Sequence, residues 1–319
     1  MKVCVTGAAG YIGAVVVDNL VKAGHQVFCV DKLMYTETFL RDDVDFERLD
    51  VTSPAFIEYL QKHSFDAIVH LAAIVGDPAC QLNPELTVRT NEIATKAIAD
   101  YIYLFKPGTR FIFASTCSVY GASDGLLNET SSAAPLSLYA QTKLISENYI
   151  KKLGLSNAVI FRLGTLYGLS GPHGRIRSDL VANIMTFKAC ENQQLSVFGG
   201  DQWRPLLHVR DAGRIFADAV DADYTGTVVL SHRNYKIKDI AEAIVKITRT
   251  TSEVLSTDVK FEDLRNYKVD NRKALKLGII PEIGLEEGIA ELATAYKKGR
   301  IKNPWAAEFN NAKYLRGTQ

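Results

Sequence analysis

Residues Thr6–Gly13, with the sequence TGAAGYIG, decide the predicted fold of this chain. They follow the apolar run Lys2–Thr6 and open the segment Tyr11–Ala23, whose apolar residues recur at helical spacing as far as Gly24. A glycine turn between a strand and a helix lets the backbone approach a pyrophosphate, which the helix amino terminus attracts. The spacing G-x-x-G-x-x-G is less common than G-x-G-x-x-G, and the glycines taken alone favour an ordinary tight turn.

Asp31 supplies the second half of the pattern, because it ends the next apolar run, Gln26–Asp31. A carboxylate about 20 residues beyond the glycines can accept hydrogen bonds from both hydroxyls of an adenosine ribose. It also repels a 2′-phosphate. Glycine turn and acid together predict a dinucleotide site and favour NAD over NADP. Asp50, with Val51, follows a third strand candidate and is predicted either to hold the adenine edge or to cap the following helix.

The first half of the chain alternates between strand-length apolar runs and helical patterns. The predicted strands are Lys2–Thr6, Gln26–Asp31, Phe46–Leu49, Ala67–Leu71, Arg110–Ser115 and Ala158–Leu163. The predicted helices are Tyr11–Ala23, Pro54–His63, Val88–Phe105 and Leu138–Leu153. Such alternation is typical of βαβ units, so the fold class is α/β with a Rossmann-type doubly wound parallel sheet.

The pattern changes after Gly168, where a loop rich in Gly, Pro and basic residues covers 169–178. His208–Val220 then has helical spacing and Thr227–Ser231 is strand-like, so the chain is expected to return to the first sheet. We therefore predict an NAD-binding domain of residues 1–168 plus 206–232. A smaller mixed α/β substrate lobe is predicted for residues 169–205 plus 233–319.

Composition restricts the classes of partner. With 37 Lys+Arg against 36 Asp+Glu the net charge is +1, which provides no basic surface for nucleic acid or an anionic membrane. No apolar run reaches the length of about 18 residues that a membrane span needs, and the amino terminus lacks a signal-peptide pattern. The five cysteines are scattered without C-x-x-C spacing, which predicts neither disulfides nor a structural metal site. We expect a cytoplasmic protein without a metal.

Tyr139 and Lys143 are four residues apart in a helical pattern and so share a helix face. A nearby ammonium and the positive nicotinamide ring favour the phenolate of a tyrosine, whose ordinary pKa is about 10. The pair then forms a general base, although Y-x-x-x-K alone is a weak signal. Ser115–Gly121 leaves a strand at the predicted ligand-binding edge, where Thr116 could reach the oxygen that Tyr139 deprotonates or could satisfy its own turn.

These features in order resemble the extended short-chain dehydrogenase/reductases, and among them the NAD-dependent nucleotide-sugar epimerases and dehydratases of the UDP-glucose 4-epimerase-like group. The resemblance covers nearly the whole chain. It is carried by TGAAGYIG, HLAA at 70–73, N-x-x-A-T at 91–95, STCSVYG at 115–121, Y-x-x-x-K at 139–143, F-R-x-x-x-x-Y-G at 161–168, F-G-G-D-x-x-R-x-x-x-H-V-x-D at 198–211 and D-x-x-K-A-x-x-L-G at 270–278.

The resemblance implies a catalytic triad of Thr116, Tyr139 and Lys143. The residues it implies around NAD are Gly7, Gly10, Tyr11, Ile12, Gly13, Asp31, Asp50, Val51, Leu71, Ala72, Ala73, Asn91, Tyr139, Lys143, Leu163 and Thr165. A nucleotide-diphosphate sugar is the implied substrate. Its candidate contacts are Val75, Cys80, Thr116, Cys117, Arg177, Arg204 and Arg265, of which Arg177 and Arg265 fit surface arginines equally well.

The family also implies a homodimer through the helices predicted at Val88–Phe105 and Leu138–Leu153. The sequence leaves an alternative, because Tyr101, Tyr103 and Phe105 would serve equally well inside the subunit.

Departures from the family pattern narrow the reaction. Dehydratases carry Asp-Glu directly after the threonine, because elimination of water needs an acid and a base. Cys117 and Ser118 stand there, which argues against dehydration and against decarboxylation that relies on the glutamate. Cys117 is interpreted as a packing or substrate-wall residue rather than an acid/base. Thr165 replaces a common Asn, and the loop Ile74–Cys80 is expected to line the sugar pocket.

Three functions remain. A 4-epimerase working through a transient 4-keto sugar with tightly bound NAD is favoured. A 4-dehydrogenase or 4-ketoreductase without epimerisation uses the same residues, and the fold does not separate the two. A non-catalytic NAD-binding sensor is disfavoured because it would be expected to have lost Tyr139 or Lys143, and both are present.

Overall fold

The computed structural model describes residues 1–36, 39, 41–257 and 266–317. Its strands are β1 Lys2–Thr6, β2 Gln26–Asp31, β3 Asp45–Arg48, β4 Ala67–His70, β5 Arg110–Thr116, β6 Ala122–Leu127, β7 Ala158–Leu163, β8 Thr165–Tyr167, β9 Leu195–Phe198, β10 Trp203–His208, β11 Gly226–Leu230, β12 Arg233–Lys236, β13 Val254–Thr257 and β14 Asn266–Val269. Its α-helices are α1 Gly13–Lys22, α2 Pro54–His63, α3 Asp77–Leu82, α4 Pro84–Val88, α5 Ala94–Phe105, α6 Leu138–Leu153, α7 Val181–Cys190, α8 Val209–Asp218, α9 Ile237–Thr248, α10 Arg272–Lys276, α11 Leu285–Lys297 and α12 Asn311–Gly317.

Seven strands form one parallel sheet in the order β11-β7-β5-β4-β1-β2-β3. The order reverses direction between β1 and β4, and the carboxyl ends of β1, β4 and β5 lie at one edge there. Ligands of doubly wound sheets bind at such a reversal. The predicted α/β class with a Rossmann-type sheet is confirmed, and the pairing of β11 with β7 confirms that the chain returns to this sheet.

The sheet is buried on both faces because its central strands are apolar throughout. In β1 the side chains of Val3 and Val5 join one core cluster with α1 and α8, whereas Cys4 joins the other with α2 and α5. Alternate residues of a strand face opposite sides, so one continuous apolar run serves both layers.

The helix predicted at Val88–Phe105 differs from what is observed. It begins earlier, at α4, and passes through a π-helical turn at Arg89–Ile93 before α5. The chain stays helical through the π turn, which is why this segment is predicted as one helix. Such turns occur often at functional sites.

The remaining strands form small sheets beside the main one. β10 pairs with β8 and β12, β13 pairs with β9, and β14 pairs with β6. Side chains of α7, α9 and α11 enclose a separate apolar cluster over β9 and β10. The five cysteines are free thiols. Within the described ranges, no helix is long and apolar enough to cross a membrane, and no group of three His, Cys, Asp or Glu side chains is arranged to hold a metal.

Candidate active site

At Gly7 and Gly10 of the glycine turn, residues 7–12, and at Gly13 after it, the backbone packs so closely that a side chain would not fit. Gly7 has a φ of 73°, and a Cβ there would lie 2.8 Å from the backbone nitrogen of Ala72. A Cβ on Gly13 would lie 2.1 Å from the carbonyl oxygen of Gly7. The turn therefore brings bare backbone and the start of α1 to a cavity of about 290 Å³. This geometry suits the pyrophosphate of a dinucleotide.

Asp31 lies beside this turn at the end of β2. Its Oδ2 accepts a hydrogen bond from Ala9 N at 3.1 Å, and its Oδ1 accepts one from Leu33 N at 2.8 Å. Burial raises the pKa of this carboxyl, while the two backbone donors act in the opposite direction. The carboxylate is thus held in one orientation at the cavity wall, where a ribose could meet it.

Asp50 also lines the cavity, next to Val51. Its Oδ1 accepts a hydrogen bond from Thr52 N at 2.9 Å, and its Oδ2 lies 3.2 Å from Lys32 Nζ. The cap of α2 is Ser53, whose Oγ accepts from Ala55 N at 3.3 Å. The alternative role of Asp50 as a helix cap is therefore wrong.

Asn91 stands behind the cavity rather than in its wall. It is fully buried on the π-helical turn and bonds both backbone groups of Ile74, accepting from N at 2.8 Å and donating to O at 2.9 Å. The segment after β4, residues 71–76, is called the β4 loop below. Asn91 fixes this loop, so its action on a cofactor would be through the loop.

Thr116, Tyr139 and Lys143 meet in the same cavity, at the end away from Asp31. Thr116 ends β5, and Ser137 begins α6 by accepting a hydrogen bond from Ala140 N at 3.3 Å. Thr116 Oγ1 accepts from Ser118 N at 3.1 Å, and Thr116 and Tyr139 both line the cavity. Thr116 thus satisfies its turn, while its reach to the oxygen that Tyr139 deprotonates stays a prediction.

Burial shifts the pKa of Tyr139 and the pKa of Lys143 in opposite directions. Burial raises the pKa of Tyr139 and the charge of Asp77 adds to this, while the nearby Thr116 hydroxyl lowers it. Lys143 is 2% exposed, with its Nζ 4.8 Å from the centre of the Phe113 ring. Burial lowers the pKa of Lys143 to about 8, against the attraction of Glu147. Lys143 thus titrates near neutral pH, which is typical of residues that take part in chemistry.

Most predicted site residues lie together. Those that line the cavity are Gly7, Gly10, Tyr11, Ile12, Gly13, Asp31, Asp50, Val51, Leu71, Ala72, Ala73, Val75, Thr116, Tyr139, Lys143, Leu163, Thr165 and Arg177. Arg265 falls outside the described residues.

Cys80, Cys117 and Arg204 lie outside this lining. The buried thiols donate to backbone oxygens, Cys80 to Ile74 at 3.3 Å and Cys117 to Arg162 at 3.2 Å. Burial raises the pKa of both thiols, so they remain protonated near neutral pH. The Arg204 guanidinium lies 5.7 Å from the centre of the Tyr267 ring, whose hydroxyl is 3.5 Å from Ser118 Oγ. Tyr267 therefore lies between Arg204 and the cavity residue Ser118.

Several lining residues were not predicted. They include Lys32, Tyr35, Ser118 and Arg175. Arg175 belongs to the loop that the sequence shows as rich in basic residues, so that loop was the available signal. The sequence contains no such signal for Tyr35, because nothing in its flanking residues distinguishes it from a surface tyrosine.

Comparison with known proteins agrees with this geometry. A model of the NAD dependent epimerase/dehydratase family matches residues 3–230. UDP-glucuronic acid decarboxylase 1 of Xenopus tropicalis is 26% identical over 313 residues, covering 93% of this chain and 72% of the relative. A putative UDP-glucose 4-epimerase of Methanocaldococcus jannaschii is 25% identical over 304 residues, covering 92% and 98%.

Solved structures show the same fold. UDP-glucuronic acid 4-epimerase from Bacillus cereus, in complex with UDP-glucuronic acid and NAD, superposes with a TM-score of 0.80 at 27% identity, covering 93% of this chain and 99% of that one. UDP-glucose 4-epimerase from Thermotoga maritima superposes with a TM-score of 0.82 at 24% identity over 94% and 100% of the two chains, which supports the fold alone. Matched by the family model over most of its length, the chain belongs to the NAD dependent epimerase/dehydratase family.

Proposed function

We propose that this protein is an NAD-dependent nucleotide-sugar 4-epimerase that works through a transient 4-keto sugar and keeps its NAD bound. The observation that carries the proposal is the meeting of Thr116, Tyr139 and Lys143 in one cavity with the glycine turn and Asp31. The Bacillus cereus relative binds a UDP-sugar and NAD, so UDP-sugars are the first candidates for the substrate.

The cavity suits NAD at both ends. The glycine turn would face the pyrophosphate, Asp31 the adenosine ribose, and Asp50 with Val51 the adenine edge. Leu163 and Thr165 would lie beneath the nicotinamide, near Lys143. When bound, NAD supplies the acceptor and later the donor of a hydride at the sugar carbon.

The chain's own residues would move the proton. Tyr139, as phenolate, would take the proton of the sugar 4-hydroxyl, and Thr116 would hold the same oxygen by its hydroxyl. The ammonium of Lys143 would lower the pKa of Tyr139 and stabilise the negative charge. On return of the hydride to the opposite face of the sugar, Tyr139 would give the proton back.

Elimination is disfavoured at this site. Cys117 is fully buried and donates to a backbone oxygen, and Ser118 hydrogen bonds with Thr116 at 3.1 Å. Neither position supplies the carboxyl groups that a dehydratase places directly after its threonine. We therefore propose that the protein neither dehydrates nor decarboxylates its substrate, although relatives named as decarboxylases are similar in sequence.

A 4-dehydrogenase or 4-ketoreductase is the second candidate, since Thr116, Tyr139 and Lys143 would serve it equally. The difference lies in whether the keto sugar leaves before the hydride returns. Retention of NAD and of the keto sugar favours epimerisation. The hydrogen bonds of Asn311 to Arg175 and Val75, two residues of the cavity lining, bear on that retention.

We also propose that two parts of the chain bind the two ligands. Residues 1–168 with 206–232 would bind NAD, and residues 169–205 with 233–319 would bind the nucleotide sugar. In support, α8 packs so closely on α1 that a Cβ at Gly213 would lie 2.4 Å from Val15. β10 pairs with β8 and β12 outside the main sheet, so it would mark the boundary.

A homodimer through α5 and α6 also remains part of the proposal. Tyr101 is buried, and its hydroxyl donates to Leu60 O at 2.9 Å, so it packs inside the subunit. Tyr103 and Phe105 are 53% and 59% exposed, and Leu104 is 64% exposed. This exposed apolar end of α5 suits a second copy, which analytical ultracentrifugation would detect as twice the chain mass.

The decisive experiment uses the purified protein with UDP-, GDP-, CDP- and dTDP-hexoses. Bound NAD is first measured after acid release, and products are then identified by NMR. A product inverted at C4 without net NADH would support the epimerase. Stoichiometric NADH, or a requirement for a keto sugar, would refute it in favour of the dehydrogenase or ketoreductase.

A further inference from the structure

Residues 306–317, called the strap below, lie against two loops that line the cavity. One is the β4 loop, and the other, residues 169–180, is called the arginine loop because it carries Arg175 and Arg177. The strap consists of a short 3₁₀ turn, Ala307–Phe309, followed by α12. It is far from both loops in sequence, so its contacts with them are purely tertiary.

Asn311 is the centre of these contacts and is 1% exposed. Its Nδ2 donates to Val75 O in the β4 loop at 2.8 Å, and its Oδ1 accepts from Arg175 Nη2 at 2.7 Å. Its backbone N donates to Asp179 Oδ2 at 3.1 Å. One buried side chain thus joins the two loops directly.

Further bonds tie the strap to the arginine loop. Arg175 Nε donates to Glu308 O at 2.8 Å, and Ser178 N donates to Phe309 O at 2.9 Å. The Arg175 guanidinium lies 4.0 Å from the centre of the Tyr35 ring, against which Tyr314 packs edge-on at 5.2 Å. Arg175 is therefore fixed from both sides, by the strap and by a tyrosine of the cavity wall.

The strap also reaches the chemical end of the cavity. Leu315 is buried in an apolar cluster with Ile74 and Cys80, and Ala312 and Tyr139 pack against the same cluster. A single segment therefore supports the wall behind the proposed base and the loop that carries the arginines.

The arginine loop is anchored to the glycine turn at its other end. Tyr11 donates from its hydroxyl to Gly168 O at 2.5 Å, and Ser170 Oγ donates to Tyr11 O at 2.8 Å. The glycine turn, the arginine loop, the strap and the β4 loop are thus linked in this order by hydrogen bonds. A dinucleotide lying against the glycine turn would lie among loops that these bonds hold together.

We propose that residues 306–317 act as a strap that retains NAD through turnover, with Asn311 as the positioning residue that joins the arginine loop to the β4 loop. The inference rests on the proposed function for the identity of the ligand. It accounts for retention of the cofactor, which an epimerase requires and a dehydrogenase does not.

The test measures release of NAD directly. Wild-type protein loaded with ¹⁴C-labelled NAD is mixed with excess unlabelled NAD, and the label that stays with the protein is followed by rapid gel filtration. Asn311→Ala removes the side-chain bonds to Val75 and Arg175 and should accelerate release by about tenfold, the effect of losing a buried hydrogen-bonded pair. A chain that ends at Trp305 should lose its NAD during purification.

Two controls separate retention from general stability. Asn303→Ala changes an exposed asparagine whose amide oxygen accepts from the nearby Trp305 N, and it should release NAD at the wild-type rate. Ile244→Ala opens a cavity in the fully buried cluster under α7 and α9 and should lower the melting temperature without changing release.

A failure of the strap proposal can be told apart from a failure of the proposed epimerase function. Wild-type release rates in Asn311→Ala and in the shortened chain would overturn the strap, as would equally fast release from Ile244→Ala. A protein that converts no nucleotide sugar but loses NAD when Asn311 is changed would support the strap and refute the epimerase.

Discussion

Two buried polar clusters lie side by side on β5 and α6, and they differ in how fully their groups are paired. The paired cluster consists of Ser115, Tyr120, Glu147 and Arg162. Its members bond to one another: Glu147 accepts from Arg162 Nη2 at 2.8 Å and from Ser115 Oγ at 2.5 Å, and Arg162 Nη1 donates to the Tyr120 hydroxyl at 3.0 Å. The reactive cluster consists of Thr116, Tyr139 and Lys143, which line the cavity.

The difference has a chemical consequence. Although burial opposes it, hydrogen bonding by Arg162 lowers the pKa of Glu147, so that carboxylate stays ionised. Lys143 lies one helical turn away, and there burial prevails and lowers its pKa to about 8. A buried charge with a bidentate partner is fixed in place, whereas one over an aromatic ring can exchange its proton. We therefore expect neighbouring residues of β5 and α6 to form two sets, one that stabilises the fold and one that takes part in the proposed reaction.

The largest effect is expected from Tyr139→Phe, which removes the proposed base and leaves the ring in place. Turnover should fall by about 10³-fold or more, the upper part of the range for general base catalysis. Bound NAD, measured after acid release, should be unchanged. Activity close to that of the wild type would exclude Tyr139 as the base.

The matching change in the paired cluster is Glu147→Gln, which leaves Arg162 as a buried charge without its carboxylate. Unfolding in urea should show a loss of about 3–5 kcal/mol of stability. Lys151→Ala is the control, because Lys151 contacts the same carboxylate at 3.1 Å but is 42% exposed, and its loss should cost less than about 1 kcal/mol. Equal losses in the two variants would show that Arg162 does not depend on Glu147.

A smaller effect is expected from pH, because the ammonium of Lys143 is present below a pH of about 8 and is lost above it. The activity per bound NAD should therefore fall as pH rises through about 8, by about tenfold one unit higher. In Lys143→Arg the charge persists, so the remaining activity should lack this alkaline limb. An unshifted limb in that variant would assign the titration to another group.

The smallest effect is expected from Cys117→Ser, which keeps the size of the side chain and its donor to Arg162 O. The value of kcat should change by less than about twofold, since the thiol faces away from the cavity lining. A drop of more than about tenfold at unchanged NAD content would restore Cys117 as an acid/base.

The nucleotide end of the cavity was more predictable than the chemical end. Gly7 and Gly13 leave room for close packing of the backbone, and Asp31 ends a strand, and local sequence determines both properties. The parallel sheet is predicted from the alternation of strands and helices. Tyr139 and Lys143 are predicted from their spacing on a helix. The burial that lowers the pKa of Lys143 depends on Phe113, which lies on the strand β5. Likewise nothing local marks Asn311, whose partners are 132 and 136 residues away in the arginine loop and 236 residues away in the β4 loop. Long-range contacts of this kind are set by the whole fold.

In the proposed reaction, a hydride leaves C4 of the sugar and returns to the opposite face at the reactive cluster. The decisive measurement uses the active nucleotide hexose labelled with deuterium at C4, converted in ordinary water and examined by NMR. We expect a C4-inverted product that retains the deuterium at C4, with no such product from Tyr139→Phe. Exchange of the label with solvent, or a product with unchanged configuration at C4, would contradict it.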